Sequence, residues 1–221
     1  MKELLDKLRK LTRKPRVGLA LGAGAARGWA HLGVIDALRD AGIPIHCVAG
    51  TSAGALVGGV YASGQVDALR ELVTNLDWKQ VLYYFSDIGW SRSGLVDGSK
   101  IAHLLDDYIT GNRIEDLPMP FRAIATDLDT GDEVVLAQGE TIEAIRASIS
   151  FPGIFTPVKL NGRWLVDGGL VTPIPIKVTR ELGADVVIAV DVNHNRVGRR
   201  TGSAEASDEP RAERDTEEEG D

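Results

Sequence analysis

Short apolar runs alternate with glycine-rich turns and helix-length segments in the first third of the chain. Residues 17–21 read VGLAL, residues 22–28 read GAGAARG, and residues 29–42 place apolar side chains at helical spacing before Gly42, a suitable C-cap. The pattern then repeats, with a strand-like PIHCVAG at 44–50 and a small-residue helix at 52–64. Two successive strand-turn-helix units predict right-handed crossovers and a mainly parallel sheet.

The next part of the chain continues this mixture of helices and strands. The turn DTGD at 129–132 joins two apolar runs and predicts a hairpin. The last apolar run, ADVVIAVDV, predicts a buried strand that closes the sheet. The pattern predicts helices at 66–76, 99–109, 141–150 and 174–183, and strands at 121–128, 133–139, 162–166 and 184–192. The predicted fold class is therefore α/β.

The two ends of the chain differ from its centre. Residues 1–16 carry seven basic and two acidic side chains, with leucines at helical spacing. Two interpretations stay open: a helix that packs on the domain, and peripheral contact with an anionic membrane. Residues 193–221 contain almost no large apolar side chain, which predicts disorder. We therefore divide the chain into a basic N-terminal helix (1–15), one folded domain (16–192) and an acidic tail (193–221).

Composition narrows the classes of function. A net charge of −7 argues against a nucleic-acid-binding protein. The only cysteine, Cys47, has no partner for an internal disulfide and is expected to pack in a strand. No apolar run approaches the roughly 20 residues that cross a bilayer. We expect a cytoplasmic protein, soluble or membrane-peripheral, that uses no metal or cofactor. Its oligomeric state is left open.

The pentapeptide Gly50-Thr51-Ser52-Ala53-Gly54 has the spacing of a nucleophile elbow. A serine on a tight turn between strand and helix projects above the sheet, and Gly50 and Gly54 allow the neighbouring chain to approach. Such pentapeptides also occur in ordinary turns. Here a strand precedes the serine and a helix follows it, which favours Ser52 as a nucleophile.

The loop 21-LGAGAARG-28 is a second strand-to-helix turn. It lacks the third glycine of a dinucleotide fingerprint, because position 27 is Arg, and it lacks the Lys of a P-loop. Backbone N–H groups at such a helix start suit an oxyanion hole, so Gly24, Ala25 and Arg27 are candidates. Gly22 and Gly28 support the turn. Arg27 opposes the helix dipole, so an anionic ligand and a structural carboxylate are both open as its partner.

A serine nucleophile needs a base, and the histidines are badly placed. His194 adjoins the tail, whereas His31, His46 and His103 are expected to be structural. Asp167, with Gly168 and Gly169, follows a predicted strand. This triplet can be a simple turn, but a dry site can raise the pKa of an aspartate enough for a base. The residues thus favour a Ser52–Asp167 dyad.

Five motifs in order, LGAGAARGWAHLGVI, GTSAGA, GLVDGSK, ASISFPGIFTPV and VDGGL, resemble the patatin-like phospholipases of bacterial type. The similarity covers approximately residues 16–192. It implies a three-layer α/β/α fold, with Ser52 as the nucleophile, Asp167 as the base and the loop at Gly24, Ala25 and Arg27 as the oxyanion hole. Many members have more glycine in this loop, where this chain has Ala23 and Ala25.

The resemblance implies a lipid acyl hydrolase of the phospholipase A or lysophospholipase kind that acts through an acyl-enzyme. Two alternatives stay open: a non-catalytic adaptor that retains the fold, and an acyltransferase with the same site. The aromatic segment 78–96 is expected either to form the mouth of an acyl site or to be ordinary packing.

Overall fold

The computed structural model describes residues 14–75, 99–109 and 113–194 of the 221-residue chain. The predicted helix at 1–15, the aromatic segment 78–96 and most of the predicted tail therefore lie outside the described residues. The strands are β1 (Val17–Leu21), β2 (Ile45–Thr51), β3 (Phe121–Asp127), β4 (Glu133–Leu136), β5 (Val158–Leu160), β6 (Arg163–Asp167) and β7 (Val186–Val190). The α-helices are α1 (Ala30–Asp40), α2 (Ala53–Ala62), α3 (Val66–Asn75), α4 (Ser99–Asp106), α5 (Thr141–Ile149) and α6 (Ile176–Glu181).

All seven strands belong to one sheet. Strands β7, β1, β2 and β3 lie side by side and run parallel. Strands β4 and β6 pair with β3 in the antiparallel sense, and β5 forms an antiparallel hairpin with β6. The α/β class and the parallel centre of the sheet agree with the sequence prediction, and the DTGD turn does join a hairpin.

Strand β3 brings β2 and β6 into line with each other. Ile124 pairs with both β2 and β4, and Ala125 pairs with both β4 and β6. Because a strand has only two edges, β2 and β6 must occupy the same edge of β3, one after the other. Strand β2 ends there at Thr51, opposite Ile124, and Asp167 of β6 pairs with the next residue, Ala125. This arrangement places Asp167 just beyond the end of β2.

Helices cover both faces of the sheet, because successive residues of its central strands point to opposite sides. Val48 belongs to the main core beneath α2 and α5, whereas Ala49 belongs to a smaller core with Val178 of α6. Cys47 lies in β2, fully buried, as predicted. The fold is therefore three-layered, with helices on either side of the sheet.

The central helix α2 is built from small residues because it is surrounded on nearly all sides. A Cβ on Gly58 would lie 2.9 Å from Val48 Cγ1, and one on Gly59 would lie 2.6 Å from Ile145 Cδ1. At Gly54, an added Cβ would lie 2.1 Å from the backbone oxygen of Leu21. Helix α2 therefore packs directly against the end of β1, which leads into the glycine-rich loop.

Two details of the sheet differ from the sequence prediction. Strand β7 was expected to be buried, but it lies at the edge of the sheet and Val186 is 45% exposed. An apolar run does not distinguish a central strand from an edge strand. Strand β5 was missed, although Asn161 and Gly162 (φ 51° and 82°) form the kind of Asn-Gly turn that typically joins a hairpin.

None of the helices in the described ranges has the length and apolar character needed to cross a membrane.

The surroundings of Gly54 in α2 and of Gly33 in α1 predict opposite effects of a change to alanine. Gly54→Ala should lower the free energy of unfolding by about 3 kcal/mol or more, because its methyl group would overlap backbone that cannot move aside. Gly33→Ala should raise it by about 0.5–1 kcal/mol, because Gly33 lies within α1 and an added Cβ meets nothing within 4 Å. Urea unfolding of both variants measures the difference. Equal stability of the two would contradict the close contact between α2 and β1.

Candidate active site

Ser52 lies on the turn between β2 and α2 in an unusual backbone conformation. Its dihedral angles are φ 55° and ψ −124°, a region that costs a non-glycine residue about 1–3 kcal/mol. Gly50 makes the turn feasible, because a Cβ there would lie 2.3 Å from the backbone oxygen of Gly54. The side chain of Ser52 consequently leaves the plane of the sheet. It stands at the N-terminus of α2, where the helix dipole favours negative charge.

Asp167 is held in place by hydrogen bonds to its backbone on both sides. Its N–H donates to the Ser150 carbonyl oxygen at 3.0 Å, and its carbonyl oxygen accepts from Thr126 Oγ1 at 2.8 Å. The next residue, Gly168, fits only without a side chain, because an added Cβ would lie 2.2 Å from the Ile124 oxygen. These contacts anchor Asp167 at the end of β6, as the sequence predicted.

The side chains of Ser52 and Asp167 meet. Ser52 Oγ donates to Asp167 Oδ2 at 2.6 Å, and the Gly169 N–H donates to the other carboxylate oxygen at 2.7 Å. Asp167 is only 3% exposed. Burial raises the pKa of its carboxyl group, and the hydrogen bonds from Ser52 and Gly169 offset part of that increase. The structure thus pairs a hydroxyl with a desolvated carboxylate.

The glycine-rich loop at 22–28 adjoins both members of this pair. A Cβ on Gly28 would lie 2.3 Å from the Cβ of Ala53, the residue that follows Ser52. On the other side, a Cβ on Gly169 would lie 3.1 Å from the Cβ of Ala23. The three motifs singled out from the sequence therefore converge at one place.

Two of the three candidate oxyanion donors remain available. The Arg27 N–H already donates to the Gly24 oxygen at 3.0 Å within the turn. The N–H groups of Gly24 and Ala25 have no acceptor within residues 14–75, 99–109 and 113–194. Ala25 has φ 46°, so this alanine adopts the left-handed conformation that glycine favours.

The side chain of Arg27 bonds to an amide group. Its Nη2 donates to Oδ1 of Asn193, whose Nδ2 in turn donates to the Ala23 oxygen at 2.7 Å. No carboxylate pairs with Arg27 in the part of the chain that the structure describes. Of the two partners left open by the sequence, the structural carboxylate is therefore not found, and Asn193 takes its place. This link ties the glycine-rich loop to the segment after β7.

All four histidines lie among the described residues, and none of them bonds to Ser52. The side chain of His194 is 85% exposed and lies 3.9 Å from Asp191. The buried His31 contacts the Gly22 oxygen through Nε2 at 2.8 Å, and burial lowers its pKa. His46 Nδ1 accepts from the Val17 N–H at 3.1 Å, and the His103 side chain is exposed. Within the described residues, Ser52 thus has a carboxylate and not an imidazole as its side-chain partner, and the identity of its base stays a prediction.

Sequence reasoning missed Ser148, which contacts the backbone of the nucleophile turn. Ser148, at the end of α5, accepts a hydrogen bond from the Ser52 N–H at 2.9 Å. A serine within a helix gives no sign of such a role, because its partner is determined only by how α5 packs against the ends of β2 and β3.

Comparison with known proteins gives clear relatives. An NTE family protein of Mycobacterium tuberculosis is 42% identical over 184 residues, which cover 83% of this chain and 51% of that protein. Lysophospholipase NTE1 of Kluyveromyces lactis is 35% identical over 184 residues, which cover 80% of this chain and 12% of that protein. The chain thus spans about half the length of the mycobacterial relative and a smaller share of the yeast one.

Among solved structures, VipD from Legionella pneumophila aligns with a TM-score of 0.49 and 16% identity, over 74% of this chain and 47% of that chain. The family model described as patatin-like phospholipase matches residues 19–180, which include the loop, the elbow and the aspartate. The chain therefore belongs to the patatin-like phospholipase family.

Proposed function

We propose that this protein is a serine acyl hydrolase that cleaves carboxylic-ester bonds of lipids. The observation that carries the proposal is the 2.6 Å hydrogen bond from Ser52 Oγ to the buried carboxylate of Asp167. A buried carboxylate with a raised pKa accepts a proton more readily than an exposed one, which suits a general base. The Ser52 hydroxyl is the matching nucleophile.

In the proposed first step, Asp167 takes the proton of Ser52 as the oxygen attacks the ester carbonyl. The negative charge that develops on the carbonyl oxygen is stabilised by the N–H groups of Gly24 and Ala25. The carbon–oxygen bond of the ester then breaks, the proton passes to the departing alcohol, and the acyl group remains on Ser52. In the second step water attacks the acyl-enzyme, and Asp167 accepts its proton. The bond between the acyl carbon and Ser52 Oγ then breaks, the carboxylic acid is released, and the proton returns from Asp167 to Ser52.

Apolar side chains beside the dyad support a lipid ester as the substrate. Residues 147–158 and 168–176, the segments that lead away from Ser148 and Asp167, contain no charged residue. Five large apolar side chains on these segments are exposed: Phe151, Ile154, Leu170, Val171 and Ile176. Because relatives of this chain are named lysophospholipases, a lysophospholipid is the first substrate to test.

Substitutions at the dyad test the proposal directly. Ser52→Ala should reduce hydrolysis of a p-nitrophenyl ester and of a lysophospholipid by about 10³-fold or more. Asp167→Asn should reduce kcat by about 10²- to 10⁴-fold, because the amide cannot accept the proton. His194→Ala is the control and should leave both rates unchanged.

A serine-directed fluorophosphonate distinguishes the hydrolase from a non-catalytic protein of the same fold. The wild-type protein should be labelled at Ser52, whereas a protein without an activated serine would remain unlabelled. Loss of activity in His194→Ala with full activity in Asp167→Asn would reject the dyad in favour of a histidine base.

Because the pKa of Asp167 is raised, replacing Asp167 with a neutral residue should stabilise the folded protein, and this gain should depend on pH. The folded state disfavours the ionised carboxylate, so the native protein loses stability as pH rises from the ordinary pKa of 3.8 through the higher pKa of the folded state. Asp167→Asn removes this loss, which amounts to about 1.4 kcal/mol for each unit by which the pKa is raised.

Calorimetry of the wild type and of Asp167→Asn between about pH 4 and pH 8 measures this effect as a difference in Tm. The Tm of the variant should exceed that of the wild type near neutral pH, and the difference should shrink as the pH falls. A variant that is less stable than the wild type at neutral pH would show that the carboxylate is not destabilised by its burial.

A further inference from the structure

The hydroxyl of Ser148 bridges two backbone groups that the nucleophile turn has separated. Its Oγ donates to the Ile124 carbonyl oxygen at 2.6 Å and accepts from the Ser52 N–H at 2.9 Å. Ser148 is fully buried, so water does not compete for these bonds. Because a carbonyl oxygen can only accept, the hydroxyl hydrogen must point to Ile124, and a lone pair of Oγ is then free to face Ser52.

The bridge occupies a defined position in the ladder between β2 and β3. The Val48 N–H donates to the Pro120 oxygen at 3.0 Å, and alternate residues of a parallel strand repeat such bonds. Counting four residues along each strand pairs the Ser52 N–H with the Ile124 oxygen. The structure places the Ser148 hydroxyl between these two groups. It therefore replaces the ladder bond that is lost where β2 turns into the nucleophile elbow.

This replacement matters because the Ser52 backbone has a competing conformation. Without the hydroxyl, the Ser52 N–H and the Ile124 oxygen would both be buried and unpaired, which is unfavourable. They could pair directly if Ser52 relaxed from φ 55° to the extended conformation of β2. That change would turn the side chain of Ser52 and break its hydrogen bond to Asp167.

We propose that Ser148 is a positioning residue that holds Ser52 in its strained conformation and thereby aims Oγ at Asp167. The inference rests on the proposed function of the dyad. Ser148 itself does not contact substrate or transfer a proton. It acts on the nucleophile through the Ser52 N–H.

The test compares Ser148→Ala with Ser148→Thr. The alanine variant should lower kcat and the rate of fluorophosphonate labelling by about 100-fold with little change in KM, because the nucleophile is misaimed while the substrate site remains. The threonine variant keeps the bridging hydroxyl and should recover most of the lost rate. A buried serine that only stabilised the fold would change neither the labelling rate nor the balance between kcat and KM.

Ser63→Ala is the matched control, since Ser63 is also buried and its hydroxyl lies within hydrogen-bond distance of two backbone carbonyl oxygens, that of Val60 in α2 at 2.8 Å and that of Tyr108 after α4 at 3.1 Å. It should lower the Tm but leave kcat unchanged. If wild type and Ser148→Ala were labelled equally, the positioning role of Ser148 would be overturned but the proposed function would stand. An unlabelled wild type would instead reject the proposed function.

Amide exchange in the wild type provides a second measurement if Ser148→Ala does not fold. The Ser52 amide should exchange more slowly than the first-turn amides of Ala53 and Gly54, which have no carbonyl partner within helix α2. Exchange of Ser52 as fast as these neighbours would overturn the bridge.

Discussion

The shared edge of β3 is the constraint on which the candidate site depends. Strand β2 occupies this edge up to Ile124, and β6 occupies it from Ala125. Because the two strands run in opposite directions, the end of each one lies at the junction. Ser52 follows the last residue of β2, and Asp167 is the last residue of β6. Strand pairing thus brings together two residues that are separated by 115 positions in the chain.

The same junction accounts for the burial of the carboxylate. Asp167 is only 3% exposed, and its two carboxylate oxygens accept hydrogen bonds from Ser52 Oγ and from the Gly169 N–H. Burial opposes ionisation and raises the pKa, whereas the Ser52 hydroxyl stabilises the ionised form. Among the described residues, Ser52 is the one whose hydroxyl donates to this carboxylate. The feature that costs stability is therefore the one that makes Asp167 suitable as a base.

Sequence reasoning identified the parts of the site that are encoded locally. Gly50 and Gly54 mark Ser52, because only small residues permit such a turn. The poor placement of His194 left Asp167 as the candidate base. The parts that depend on distant packing were not predictable. The partner of Arg27 proved to be Asn193, and Ser148 has no local pattern that would reveal it. The prediction that β7 is a buried strand was also wrong, since apolar runs look alike at the edge and in the centre of a sheet.

Much of the proposed chemistry is assigned to backbone groups, which explains why small residues crowd this region. The candidate oxyanion donors are the N–H groups of Gly24 and Ala25, and the Gly169 N–H holds the carboxylate. Backbone groups from separate segments can converge only if side chains do not keep the segments apart. The contacts of Gly28 with Ala53 and of Gly169 with Ala23 meet this requirement. Under the proposed function, discrimination among acyl chains falls to side chains near the junction in sequence, such as the exposed Phe151 and Leu170.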